Sequence, residues 1–333
     1  MSDDALIGQS ALFGHDRAIG QFLDAWQTRR LHHAWLLAGP RGTGKASFAK
    51  AAAKRVLADS GGPQPLLPGL SVEDDHPAAH LLRARSHPDF RLLERAERPA
   101  GGLARNISID QVRSLGDMLG VTPSLSPWRV ILIDSADDLE REGANALLKM
   151  LEEPPANTLF LLVAHAPGRL LPTIRSRCRR LDFAPLPDDA MASALAGKVH
   201  AADIAHAVAV AGGSVGRALQ ASALDLAPLD LLARTIMAEG DPDNSRRLKL
   251  AGALSGKAAA DRYAAFLPMV PALIAGEARI ADEPRRSLAL AAYARARETV
   301  ALAPRLTLDP GATMFELGGI LASIAGAPAS LKR

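Results

Sequence analysis

The chain has 333 residues, enough for two or three domains that each bury a core. Hydrophobic residues make up 48% and charged residues 23%, a globular balance that excludes general disorder, and the 4% aromatic content leaves Ala, Leu, Val and Ile to build helix-favouring cores. A formal net charge of +3 permits contact with nucleic acid but is too small to establish it. Apolar residues at helical spacing predict a helix over 19–30, followed by a buried strand at Ala34–Ala38. A second helix is expected from Lys45 to about Ala58. Residues 59–106, rich in Pro, Gly and charge, read as a loop-rich insertion with a short strand at 90–93. A helix over 109–119, a β-branched strand at 130–133, a helix over 145–153 stopped by Pro154-Pro155, and a strand at 159–164 complete a strand–helix alternation. That alternation predicts an α/β domain with a parallel sheet covered on both faces.

Near Ala184-Pro185-Leu186-Pro187 the pattern becomes helical, with breaks at Gly212-Gly213, Ala227-Pro228 and Glu239–Pro242. The expected fold is therefore α/β plus all-α. A P-loop parallel-sheet domain spans 1–184, a small helical lid 185–227, and a larger helical domain 228–333. The single Cys178 excludes an intrachain disulfide and any multi-thiolate metal site, as in a reducing compartment. The start Met1-Ser2-Asp3-Asp4 lacks the positive charge of a signal peptide. The most apolar stretch, 258–278, is interrupted by Arg262, Pro268 and Pro271. These features predict a cytoplasmic protein without membrane contact.

Gly39-Pro40-Arg41-Gly42-Thr43-Gly44-Lys45 lies between a predicted strand and a predicted helix, where a phosphate-binding loop belongs. Its glycines (Gly39, Gly42, Gly44) let backbone N–H groups turn toward a phosphate, and Lys45 supplies charge for the outer phosphates. The next residue is Ala46, where a Mg²⁺-ligating Ser or Thr is expected. Asp134 ends a strand as a Mg²⁺-holding aspartate does, but Ser135 follows in place of a glutamate that would orient water. Asp137 and Asp138 come later, at positions expected to face solvent or cap a helix. Two gaps in one hydrolytic apparatus point to a site that binds ATP, if at all, without turnover, and Mg²⁺ is expected only with nucleotide.

Leu31-His32-His33-Ala34-Trp35-Leu36, Asn145–Pro155 and Ser176-Arg177-Cys178, together with the loop, resemble the clamp-loader AAA+ ATPases. The likeness covers roughly residues 6–220. From Pro228 onward it is one of length and helicity, where that family has an oligomerising collar. Ala46 and Ser135 place the chain nearer the non-motor subunits than the gamma and tau motors. The resemblance implies that Arg177 is an arginine finger acting in trans on a neighbouring ATP site, while a solvated or DNA-contacting basic run is the alternative for Arg175–Arg180. It implies that Arg217, after Gly212-Gly213, faces the γ-phosphate as sensor 2, with a surface arginine as the alternative. The sensor 1 position falls on Ala164 or His165.

Cys178 reads as a small apolar residue, not a nucleophile. Many relatives hold zinc with four cysteines in the region of 59–106. This chain has no cysteine there, and Pro77 separates His76 from His80, so no zinc is expected. The resemblance further implies a non-catalytic stator that supports ATP-driven loading of a sliding clamp onto primer–template DNA. Its partners would be the gamma/tau motors and the delta subunit. A self-sufficient AAA+ ATPase is the alternative, and a nucleotide-gated scaffold without DNA contact a third reading.

Overall fold

The computed structural model describes residues 12–98 and 102–325; the acidic start and residues 99–101 of the Pro/Gly-rich stretch lie outside them. The chain divides into two compact units, Met1–Ala190 and Met191–Arg333. In the first, strands β1 (Ala34–Ala38), β2 (Phe90–Leu93), β3 (Arg129–Ile133), β4 (Thr158–Ala164) and β5 (Arg179–Asp182) form one sheet. The order is β2-β3-β4-β1-β5 and every neighbouring pair is parallel. β1, β3 and β4 are buried along their whole length, which is why they read as unbroken apolar runs. Side chains alternate between the faces. Trp35, Leu37, Leu132 and Leu161 pack with Phe22, Phe48 and Val56 of helices Asp16–Gln27 and Lys45–Gly61. On the other face Leu36, Ile131 and Phe160 pack with Val112, Leu115, Leu147 and Leu151.

The two edge strands are less legible in sequence. β5 has only Leu181 buried among two arginines and an aspartate, so it reads as a basic run. The helix expected over 109–119 is two short ones, Ile109–Arg113 and Leu115–Leu119, meeting at Ser114. The expected loop-rich stretch 59–106 contributes helix Pro77–Arg83 as well as edge strand β2. Pro77 does not interrupt a helix there; it opens one at the first helical position, where its missing N–H costs nothing. Asp89, only 2% exposed, accepts backbone N–H bonds from Ser124 (2.7 Å), Leu125 (2.8 Å) and Ser126 (2.9 Å). It thereby staples the start of β2 to the loop before β3.

The second unit is helical throughout its described residues. Breaks fall at Gly212 (φ 53°) and Gly213 (φ 75°), before helix Ala227–Glu239, and at Gly240 (φ 77°). A large core runs from Ala221 and Leu226 through Leu229, Ile236, Phe266, Val270 and Ile274 to Leu317. The stretch Lys257–Ile280 is long and apolar enough to cross a membrane by length and composition. Its Phe266, Val270 and Ile274 are buried in this core, which accounts for the apolar character.

Asp89→Ala would remove the acceptor of the Ser124, Leu125 and Ser126 N–H groups, of which that of Ser126 is buried. The expected cost is about 1–3 kcal/mol, read as a lower urea midpoint with unchanged slope.

Candidate functional site

Because all five strands are parallel, Gly39, Asp134 and His165 emerge together at the sheet's C-terminal edge. Gly39, Gly42 and Gly44 have φ of 156°, 75° and 88°, which L side chains rarely adopt. A Cβ at Gly39 would also lie 2.1 Å from the carbonyl oxygen of Phe183. Helix Lys45–Gly61 starts directly from Gly44, so its free N–H groups open onto the loop. The loop is braced from within. Lys45 Nζ donates to the carbonyls of Gly39 (2.7 Å) and Pro40, Thr43 Oγ1 donates to Pro40 O (3.0 Å), and His15 Nε2 pairs with the Thr43 carbonyl. Burial lowers the Lys45 pKa to about 8, against the opposing pull of Asp137 and Asp134. The Asp134 carboxyl is raised by burial, with Lys50 and Lys45 holding it back.

Where a hydrolysing site would carry a glutamate, Ser135 sits in a left-handed conformation (φ 64°) and its Oγ lies 3.1 Å from His165 Nε2. Of Ala164 and His165, only His165 reaches the site with a side chain. Ala164 instead uses its carbonyl to accept the Gly39 N–H at 3.2 Å. Burial foremost, then the Lys45 and Arg41 charges, push His165 down to about 4, so its ring is neutral at pH 7. Asp137 and Asp138 do not face solvent as expected. Asp137 accepts the backbone N–H groups of His165 (3.0 Å) and Ala166 (2.9 Å). Asp138 lies 3.6 Å from both Arg41 of the loop and Arg95. The role of Asp137 was hidden in sequence because its partners are backbone groups 28 and 29 residues away.

Arg177 lies at the other edge of the sheet. β5 begins two residues later, with Arg179 beside Trp35 and Asp182 beside Ala38. Those three steps along the strand alone put about 10 Å between Arg177 and the loop that follows Ala38. Arg177 caps the short helix Pro172–Ser176, donates from NH1 to the Thr173 carbonyl (3.0 Å) and pairs through NH2 with Glu152 Oε1 (2.8 Å). Its side chain remains 36% exposed. Within the same basic run, Arg179 stacks 4.8 Å above the Trp35 ring and Arg180 pairs with Asp182 at 2.6 Å. Burial raises the Cys178 thiol to about 12, which makes it a poor nucleophile.

Arg217 belongs to the second unit, near the start of helix Val215–Ala223. Burial lowers its pKa, and its Nε is buried without a partner. In the first unit, His76 Nε2 pairs with the Pro63 carbonyl (2.9 Å) while its Nδ1 accepts the Ala78 N–H. His87 Nδ1 accepts the Asp89 N–H, and Asp74 pairs with Arg83. Among the described residues no three His, Cys, Asp or Glu are grouped as metal ligands.

A P-loop at the C-terminal edge of a five-stranded parallel sheet, in a chain that also carries a helical unit, defines the P-loop nucleotide-binding class of α/β proteins. The family model described as DNA polymerase III, delta subunit matches residues 14–187, over half of the chain. DNA polymerase III subunit delta' of Pseudomonas aeruginosa is 41% identical over 157 residues, covering 46% of this chain and 44% of that protein. Subunit tau of Bacillus subtilis is 31% identical over 178 residues, covering 54% of this chain and 29% of that protein. A gamma-subunit-related protein from Thermotoga maritima superposes with a TM-score of 0.45 and 17% identity, covering 91% of this chain and 98% of that one. The chain belongs to the DNA polymerase III delta' family. Its matched part spans less than half the length of the Pseudomonas delta' and Bacillus tau subunits.

The low pKa of His165 sets a pH dependence. Folding favours the neutral ring, so this contribution to stability is complete above about pH 6.5 and is lost as pH falls through about 4. His165→Gln is expected to shrink the loss of urea resistance between pH 7 and pH 4.5.

Proposed function

We propose that this chain is the stator of a bacterial clamp loader. It stands beside a gamma/tau motor subunit in an assembly that also contains delta, and it supplies Arg177 to the motor's ATP site. ATP binding by the motors then drives loading of the sliding clamp onto primer–template DNA in the cytoplasm. The observation that carries this reading is the separation of chemistry across the sheet. Arg177 is exposed at the N-terminal edge, too far from its own loop to serve it, while that loop lacks a hydrolytic apparatus. Ala46 has no hydroxyl for Mg²⁺, and Ser135, bonded to His165, cannot act as the base that orients water.

Gly39, Gly42, Gly44 and Lys45 fit a phosphate: Gly42, Gly44 and the helix N-terminus leave backbone donors at the loop, Lys45 adds charge, and Gly39, whose N–H goes to Ala164, lets the loop pass close to Phe183. Under this reading a bound ATP persists without turnover, and Asp134 holds any accompanying Mg²⁺. No zinc is assigned.

The purified chain is expected to hydrolyse ATP negligibly, and robust turnover would make it a self-sufficient ATPase instead. In the reconstituted assembly Arg177→Ala should silence the adjoining site, where a finger is worth about 10³-fold or more, while gel filtration still shows the intact complex. A normal DNA-stimulated rate would remove the finger role.

A further inference from the structure

Three segments that carry the family likeness meet at the N-terminal edge of the sheet, and the finger alone does not account for two of them. His33, just before β1, brings Nε2 to the Leu151 carbonyl at 3.1 Å and so ties the last turn of helix Arg141–Glu152 to the sheet. Glu152, the final residue of that helix, then places Oε1 2.8 Å from Arg177 NH2. The other hold on the guanidinium, the Thr173 carbonyl at 3.0 Å, belongs to the short helix that Arg177 itself caps. That bond cannot fix the guanidinium relative to the sheet. Glu152 can, because it sits on a separate element anchored through His33.

A guanidinium has five N–H donors, and these two bonds use two of them. The remaining donors of a 36% exposed side chain stay available to an anion brought by a neighbour. An exposed ion pair of this kind adds little to folding stability, so its effect lies in orientation. A free arginine loses rotamer freedom when it docks, and a guanidinium ordered beforehand has already lost much of it.

We propose that Glu152 is the positioning residue of the finger: the Glu152 carboxylate, fixed to the sheet by the His33–Leu151 contact, orders the Arg177 guanidinium before a neighbouring subunit's phosphoryl group reaches it. This rests on the finger reading of Arg177. The test uses reconstituted assemblies carrying Glu152→Gln, Arg177→Ala or both, with ATP hydrolysis measured on primed DNA. Side-chain ¹⁵N relaxation of Arg177 is recorded on the free chain in parallel. Glu152→Gln should lower kcat about three- to five-fold with KM for ATP unchanged. It should add nothing on top of Arg177→Ala, and it should loosen the Arg177 Nε–H while leaving the other arginines as they were. A wild-type kcat for Glu152→Gln beside an impaired Arg177→Ala would overturn the positioning role alone, as would full additivity in the double variant. A wild-type rate for Arg177→Ala would overturn the finger reading itself.

Discussion

Five parallel strands put every strand's C-terminus on one side of the sheet and every N-terminus on the other, and the chemistry of this chain is divided along that axis. The polarity holds because β1, β3 and β4 are sealed from water along their whole length, so their backbone groups must pair within the sheet. The phosphate-binding loop, Asp134 and His165 are thereby gathered at one edge. Arg177 is confined to the other, where it is accessible to a neighbour and out of reach of its own loop.

At the loop edge, charges are packed closely enough to alter one another. Burial brings Lys45 down to about 8 and His165 down to about 4 while raising Asp134. Asp137 spends both its oxygens on the backbone of His165 and Ala166, and Asp138 lies between Arg41 and Arg95. These carboxylates brace the site. The position that would aim a water is held by a serine paired with a neutral imidazole. The loop keeps a phosphate-binding shape while the side chains around it are paired with one another and with the backbone.

Much of this was legible in residue order alone. The buried central strands announced themselves as apolar runs, and β1 fell where the sequence placed it, at Ala34–Ala38. The loop and its missing hydroxyl were equally plain, because glycine spacing and a single absent side chain are local facts. The edge strands were not plain: β5 has one buried residue in four, so its membership in the sheet is set by pairing with β1 and not by composition. The stretch 59–106 read as a loop because its helix is short and its strand lies at an edge, yet Asp89 bonds it to residues 35 to 37 positions away.

Sequence by itself determined the kind of protein this is: a P-loop α/β domain with helices to follow, with Ala46 after the loop lysine, Ser135 after Asp134, and an arginine in a Ser176-Arg177-Cys178 setting. Those conclusions depend on residue identity and on spacing within a turn or a strand. Tertiary structure decided which side chains share a site. It set Ser135 against His165, turned Asp137 and Asp138 inward, and brought His33, Glu152 and Arg177 together at one edge. Those partners lie tens of residues apart in the chain, and they become neighbours only when the parallel sheet closes and every strand end is assigned its side.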